Sequence, residues 1–320
     1  MKRPVERIVA ELGQPGLIDT LSTQLSGADF TTLMLEVMQR RAAAVTPATL
    51  LERYRSDRFV TPATPTFERL RCVETALLDA ASGGFETITL APLAPLGTHS
   101  AIATVAQNKV VATLRHNEVA ADPTNALALE AASRRRRALS RAAKSQQHVA
   151  LAALQRVVRA QAVSGARHFA HFELLGLLSA GRDQGAFAFE RAAAITHLDV
   201  HVRGLRALGA TSVHISLTDF SRGELRTVAD ACRDAFDGAP GVVCRDDPER
   251  VGGAGYYQGL CFKVHAAFGE EPLFETSDGG IVDWTQRLVG SAKERCFISG
   301  LGIDRVALAI TKTTAEGLKR

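Results

Sequence analysis

The sharpest chemical signal in the chain is CFISGLGIDRVALAI, from Cys296 to Ile310. An apolar strand breaks at Gly300-x-Gly302, and a helix opens with Asp304-Arg305 in its first turn. Glycine permits a tight turn and close approach of a ligand, because no Cβ stands in the way. A helix N-terminus offers unpaired N–H groups and positive potential to an anion. An arginine there adds forked, charge-assisted hydrogen bonds that suit a phosphate. Together these features read as a phosphate site, although a plain strand–helix turn with a surface arginine fits the same letters. The run Arg134 to Arg137, with Arg141 and Lys144 nearby, offers charge to an RNA backbone or an acidic carrier. Equally, it forms the solvated face of a helix. His171, His197 and His214 lack metal-like spacing. Cys72, Cys232, Cys244, Cys261 and Cys296 are scattered without a CxxC. No metal ligand is assigned.

Positioning these residues falls to elements that periodicity and turn residues delimit. Residues 1–60 read as a helical N-terminal extension and 61–320 as the main domain. In the extension, Phe30 to Ala44 has helical spacing, and Thr46-Pro47 restarts a helix through Leu50, Leu51 and Tyr54. The two prolines of VTPATPTF (Val60 to Phe67) mark a linker. A helix is predicted from Phe67 to Ala81, ended by Gly83-Gly84, with a strand from Phe85 to Leu90. A second strand is predicted over Lys109 to Arg115, and a helix from Asn125 to about Lys144. Alanine and leucine give HVALAALQRVV a helical propensity. His168 to Leu178 reads as a strand, 188–208 as a helix, Ser212 to Phe220 as a strand and Glu224 to Phe236 as a helix. The rest alternates glycine turns with strands before a last helix near Ile303. Helix–strand alternation early and hairpins late predict an α+β fold with an antiparallel sheet flanked by helices.

Composition narrows the function classes. At 320 residues, 46% of them hydrophobic, the chain fits one large domain with a sizeable core. A net charge of +4 is too small to imply nucleic-acid binding by charge alone. With 14 Phe, 3 Tyr and 1 Trp, a platform that stacks many bases is not expected. No leader-like stretch surrounds Lys2, Arg3, Glu6 and Arg7, and no run approaches the ~18 apolar residues of a membrane span. The expectation is a soluble cytoplasmic protein without a membrane partner.

Several segments, in order, resemble the catalytic domain of class II aminoacyl-tRNA synthetases, closest in layout to the histidyl branch. Cys296 to Ile310 is similar to motif 3, G-x-G-x-[DE]-R, whose arginine binds the terminal phosphates of ATP; Arg305 takes that position. The helix from Phe67 and GGFETITLAPLAPL resemble motif 1, a dimer element, with Pro92 as its proline. VVATLRHNEVAADPT resembles the "LRPE-T" segment, which would put Arg115, Glu118 and Thr124 near the amino-acid pocket. QRVVRAQAVSGARHFAHFELLG resembles motif 2, a strand–loop–strand hairpin. On that alignment Arg159 is the motif arginine, Arg167 the loop arginine and Phe172 the aromatic beside adenine. HVALAALQRVV would then be a strand against its propensity. A competing placement starts motif 2 at Arg115-x-x-Glu118, which would need a loop of about 50 residues, long for a compact domain. RVGGAGYYQGLCFKV and TSDGGIVDW are similar to the histidyl "RGLDYYTG" and "GGRYD" elements. They nominate Tyr256 and Tyr257 for the substrate, and Asp278 for its amino group.

The resemblance covers roughly residues 60–315. It implies an ATP- and Mg²⁺-using ligase that works as a homodimer, with Arg159 and Arg305 as catalytic arginines and Gly300 and Gly302 beside the phosphates. It also carries departures. Gly252 and Gly255 stand where the histidyl pattern has arginine and aspartate, Gln161 replaces the motif 2 acid, and Ile281 and Val282 replace the "RY" of "GGRYD". These changes point away from histidine and towards a more open, less charged pocket, with Arg250 two residues from the lost cation. The 320 residues leave no room for the branch's anticodon-binding domain, so the acceptor expected is a carrier, a small amine or a tRNA acceptor stem. Arg134 to Arg137 would be the docking patch. The other expectation is a non-catalytic regulatory paralogue, such as that of ATP phosphoribosyltransferase.

Overall fold

The computed structural model describes residues 3–161 and 169–310. The chain begins with α1 (Pro4–Glu11), α2 (Leu17–Asp19), α3 (Gly27–Ala43) and α4 (Pro47–Ser56), none of which buries a residue. Ser26 and Thr46 cap α3 and α4 by accepting from the N–H groups of Asp29 and Thr49. Among the described residues, three hydrogen bonds tie this extension to the rest. The His116 ring meets the Gly27 carbonyl at 2.8 Å, Thr31 Oγ1 donates to Leu114 O, and Arg58 Nη2 donates to Gln161 O.

Thr66 caps α5 (Phe67–Ala81), which buries Leu70, Val73 and Leu77. The strand expected at Phe85 to Leu90 shrinks to β1 (Glu86–Thr87), paired in parallel with two residues of a later strand. Then come β2 (Leu93–Pro95), α6 (Thr98–Ile102) and β3 (Asn117–Val119). The strand predicted over Lys109 to Arg115 is a correction. That segment starts in a 3₁₀ turn at Gln107–Lys109 and makes one bridge, Ala112 to Glu118, before reversing at His116. His116 sits at φ +55°, a left-handed conformation that turns the chain back before a ladder can form.

Eight strands form the main sheet, with β4 (Val149–Val158), β5 (His171–Arg182), β6 (Ala210–Asp219), β7 (Val242–Asp246), β8 (Leu260–Phe268), β9 (Phe274–Val282) and β10 (Glu294–Gly302) joining β1. Their order is β1-β4-β5-β10-β9-β8-β6-β7, antiparallel except at the two edge pairs. HVALAALQRVV is therefore a strand and not the helix its propensity favours. Every residue of β4 pairs with β5, and both faces of β4 carry buried residues. A strand covered on both faces reads as a continuous apolar run, which periodicity alone cannot tell from a buried helix.

Helices α7 (Pro123–Arg141), α8 (Ala188–Ala207), α9 (Arg226–Phe236), α10 (Trp284–Val289) and α11 (Ile303–Ala309) complete the fold. One apolar cluster joins α5, α8, α9 and α11 to Leu175, Leu177, Phe297 and Leu301. A second joins α7 and α10 to Leu178, Ala180, Cys296 and Ile298. Successive strand residues thus serve opposite sheet faces, and the predicted α+β layering holds.

The arginine run lies on α7, where three of its four members are held within the molecule. Arg134 pairs with Glu86 at 2.5 Å and with Glu130 at 2.7 Å, and Arg136 donates to Leu288 O. Arg135 is wholly buried against Glu294 on β10, with two contacts of 2.7 and 2.9 Å. It also donates to Gln147 O and Ser145 O. Arg136 and Arg137 stay exposed, Arg137 with 65% of its side chain open to solvent. This narrows the expected docking patch of Arg134 to Arg137 to its last two members. A charge locked in a satisfied ion pair is not on offer to a polyanion.

Candidate functional site

Two adjoining cavities lie where β4, β5, β9 and β10 approach the start of α7. The first, of about 210 Å³, is lined by Phe172, Ser277, Gly300, Gly302 and Arg305 among others. The second, of about 620 Å³, reaches from α6 and α7 to Tyr256 and Tyr257 in the loop before β8. Asp122, Arg159, Gln161 and Asp278 line both. Taken together they fall within the roughly 300–1,000 Å³ usual for ligand clefts.

The β4–β5 hairpin delivers Arg159. Its N–H donates to Ala170 O as the chain leaves β4, and its guanidinium lies 5.0 Å above the Phe172 ring. Its Nε donates to Ala121 O, and Nη2 lies 3.3 Å from Asp122 Oδ2. The hairpin thus spans 149–182, whereas Arg115 is exposed in a separate turn and lines neither cavity. That geometry disfavours the placement of motif 2 at Arg115. Arg167 lies outside the described residues.

Arg305 enters the first cavity from the first turn of α11. Among the described residues its guanidinium has one polar contact, Nη1 to Glu275 O at 3.4 Å, which leaves most of its N–H groups for a ligand. A Cβ on Gly300 or Gly302 would find its nearest neighbours at 3.8 and 3.7 Å, so the glycines keep the floor open. Asp304 lines the same cavity but is 1% exposed. It accepts from Glu173 N at 2.7 Å and from Arg156 at 3.2 and 3.4 Å, tying α11 to both hairpin strands. Behind this junction, burial and the neighbouring Glu74 push the Glu173 carboxyl up to about 7.

Around the second cavity, Tyr256 lies edge-on to Trp284 and Tyr257. Burial pushes both phenols well above their ordinary range, so both remain protonated donors. Asp278 accepts from Tyr257 and lies 3.6 Å from Arg250, and burial raises its carboxyl against that cation's pull. Arg250 has only 5% of its side chain exposed; its Nε donates to Gly252 O, and its Cζ sits 5.7 Å over the Tyr257 ring. At Gly253, with φ +98°, a Cβ would meet that ring at 3.0 Å, so glycine is required for this packing.

Two nominated residues lie behind the cavity walls. Thr124, 3% exposed, is bonded to Asp122 at the cap of α7 and reaches the site through the Tyr256 hydroxyl. Glu118 is fully buried and accepts from Gly97 N, His99 N and Gln107 Nε2. Burial would raise its carboxyl, but those donors outweigh it and hold the group below its usual value. Glu118 braces a loop and lines neither cavity, contrary to the sequence expectation. Asp122, Asn125, His99 and Lys109 line the second cavity without having been nominated. For Asp122 the signal was present: Asp-Pro-Thr before an apolar run marks a helix start.

No family model matches the chain, and no curated protein matches it. Solved structures do. An ATP phosphoribosyltransferase regulatory subunit/histidyl-tRNA synthetase from Bacillus halodurans has a TM-score of 0.59 at 12% identity, over 79% of this chain and 83% of that one. Histidyl-tRNA synthetase from Nostoc sp. has a TM-score of 0.59 at 14% identity, over 81% and 75%. A histidine–tRNA ligase subunit from Alicyclobacillus acidocaldarius has a TM-score of 0.54 at 13% identity, over 82% and 98%. The fold is that of the class II aminoacyl-tRNA synthetases. The histidyl-type layout expected from the motif order is therefore present at the level of the backbone. No helix among the described residues is long and apolar enough to cross a membrane.

Within this class II fold, Gly252 leaves open space, with nothing within 4 Å of a would-be Cβ. Arg250 reaches in from two residues upstream, and Lys109, Lys263, Asp122 and Asp278 share the walls. Spacing along the chain counted a lost cation, while the loop's turn through Gly253 brings another to the wall.

Proposed function

We propose that the chain is an ATP-dependent ligase that activates an amino acid as its aminoacyl-adenylate and passes the acyl group to a tRNA acceptor stem, carrier protein or small amine. The observation that carries this reading is the wall shared by the two cavities, with Arg159 and Asp278 in it. A nucleotide in the first cavity and an amino acid in the second would meet there.

Arg305 and Arg159 would hold phosphate oxygens, and the Phe172 ring that carries Arg159 would flank the base. The amino-acid α-carboxylate would lie near Arg159, and its ammonium near Asp278. A carboxylate oxygen then attacks the α-phosphorus in line; the new C–O–P bond forms as the α–β bridge breaks and pyrophosphate leaves. Holding the two reactants in this geometry supplies much of the acceleration. The arginines act as preorganised cations where charge develops. Magnesium carried in with the nucleotide would neutralise phosphate charge. Glu275, which lines the first cavity 2.6 Å from Lys263, is the acid best free to help hold it, because Asp304 is taken by Arg156 and Glu173. Among the described residues no group of three or more potential ligands would bind a metal unaided.

The protein is proposed to act as a homodimer through the motif 1-like stretch from α5 to β2, where Phe67 is 72% exposed and Leu93 and Leu96 are also open. A second reading, a regulatory subunit without adenylate chemistry, draws on Gly252 and on the likeness to the Bacillus halodurans regulatory subunit/histidyl-tRNA synthetase. Co-purification with a phosphoribosyltransferase, together with histidine binding and no turnover, would favour it.

The test is calorimetric titration with Mg²⁺–ATP. Losing one charge-assisted contact of about 1.5–3 kcal/mol should weaken binding about 10- to 150-fold in Arg305→Ala and in Arg159→Ala. Unchanged binding in both variants would remove the nucleotide from this cavity.

A further inference from the structure

Four cations line the second cavity, Lys109, Arg159, Arg250 and Lys263, together with two acids, Asp122 and Asp278. Arg159 faces Asp122, Arg250 faces Asp278, and Lys263 faces Glu275 from the neighbouring cavity. Lys109, an exposed residue, has no ion-pair partner among the described residues. A ligand that brings a second carboxylate would give it one.

Hydrogen bonding points the same way. His99, 1% exposed, accepts from the Ala121 N–H at Nε2, so its proton sits on Nδ1. That N–H donates to Asn125 Oδ1 at 2.6 Å and fixes which end of the amide is oxygen. The Asn125 amino group, on a fully buried residue, is therefore turned away from His99 and has no partner. Arg250 Nη1 is also buried without an acceptor. Buried donors without partners are costly and rare, and an acceptor brought by a ligand would relieve both. Lys109, Asn125 and Arg250 come from three separate elements that line one cavity: the 3₁₀ turn, the first turn of α7 and the loop before β8. The fully buried Glu118 sets the first of these, since Gln107 in the same turn donates to it.

We infer that the second cavity selects an amino acid whose side chain is itself a carboxylate, of the aspartate or glutamate class, recognised by Lys109, Asn125 and Arg250. This assignment rests on the ligase reading for what happens to the ligand, and on the cavity alone for which ligand binds. Amide side chains bring acceptors but no charge, so Lys109 separates acid from amide. Asn125 and Arg250 recognise oxygen.

The experiment is calorimetric titration of the full chain, without ATP, with L-aspartate, L-glutamate, L-asparagine, L-glutamine and L-histidine. One acid should bind at least tenfold more tightly than its amide. Lys109→Ala should shrink that preference to threefold or less. Asn125→Asp, which keeps the shape and reverses the polarity, should weaken the acid at least tenfold while thermal unfolding shows an intact fold. Equal binding of acid and amide, or tighter binding of histidine, overturns the assignment. A parallel pyrophosphate-exchange assay separates the two claims. Exchange driven by a non-acidic amino acid leaves the ligase standing and removes this inference; selective binding of an acid without exchange does the reverse.

Discussion

Ser299 sits between two histidines that water does not reach. Its hydroxyl is 2.8 Å from His197 Nδ1 and 2.8 Å from His201 Nε2, and His197 Nε2 goes on to Ser179 at 3.0 Å. Neither ring could be assigned more than an ordinary sheet or helix place from sequence, because i, i+4 histidines on a helix acquire a partner only when β5 and β10 pass beneath them. Burial holds His201 down to about 3 and His197 well below its ordinary value. The sign of the linkage follows. Both rings are neutral when folded and titrate near 6.5 when unfolded, so their contribution is full above pH 6.5 and is lost as pH falls from there towards 3. In urea unfolding, the stability lost by the wild type between pH 7.5 and 5.0 should shrink by about 2 kcal/mol in His201→Gln, because one titrating ring is gone. An identical loss in both proteins would mean that His201 is not held neutral.

Asp304 shows what an element boundary does for the site. It opens α11, and by accepting from Arg156 on β4 and Glu173 N on β5 it fixes the turn that aims Arg305. Replacing it by alanine leaves the part-buried Glu173 N–H without an acceptor and Arg156 with only the more distant Glu173 carboxylate, 3.6 Å away. A stability loss of about 1–3 kcal/mol is expected, since Arg156 keeps some solvent. Adenylate formation should fall further than thermal stability alone explains, whereas Asp304→Asn should recover most of the stability and little of the activity. Full activity in Asp304→Ala would show that Arg305 is aimed by something else. At this scale most of the fold was legible: α5 and β10 fall where caps, glycines and apolar periodicity put them. The exceptions share a cause. In β4, Ala and Leu specify burial on two sides and say nothing about period. Between Lys109 and Arg115, β-favouring residues make a single bridge to β3, because His116 reverses the chain.

Across the whole molecule, the site is a junction of parts distant in sequence. Arg305 and the glycines before it were legible because their spacing is local and their chemistry follows from a helix N-terminus. Tyr256, Tyr257 and Asp278 were nominated by motif order, and they come together at one cavity. Arg250 was noted as a cation two residues from the lost one, whereas Asn125 and Lys109 were not nominated, because their place depends on a histidine tautomer and a 3₁₀ turn that no spacing announces. Glu118 and Thr124 sit one layer behind the site for the complementary reason: motif proximity does not say which way a side chain faces. If the two cavities hold a nucleotide and an amino acid across a shared wall, ATP–pyrophosphate exchange should reveal it, run with Mg²⁺ and each of the twenty amino acids and with Arg305→Ala as control. Exchange driven by one amino acid of the acidic class, and abolished in Arg305→Ala, is expected. A folded protein that gives no exchange with any of the twenty would mean that the cavities do not house this reaction.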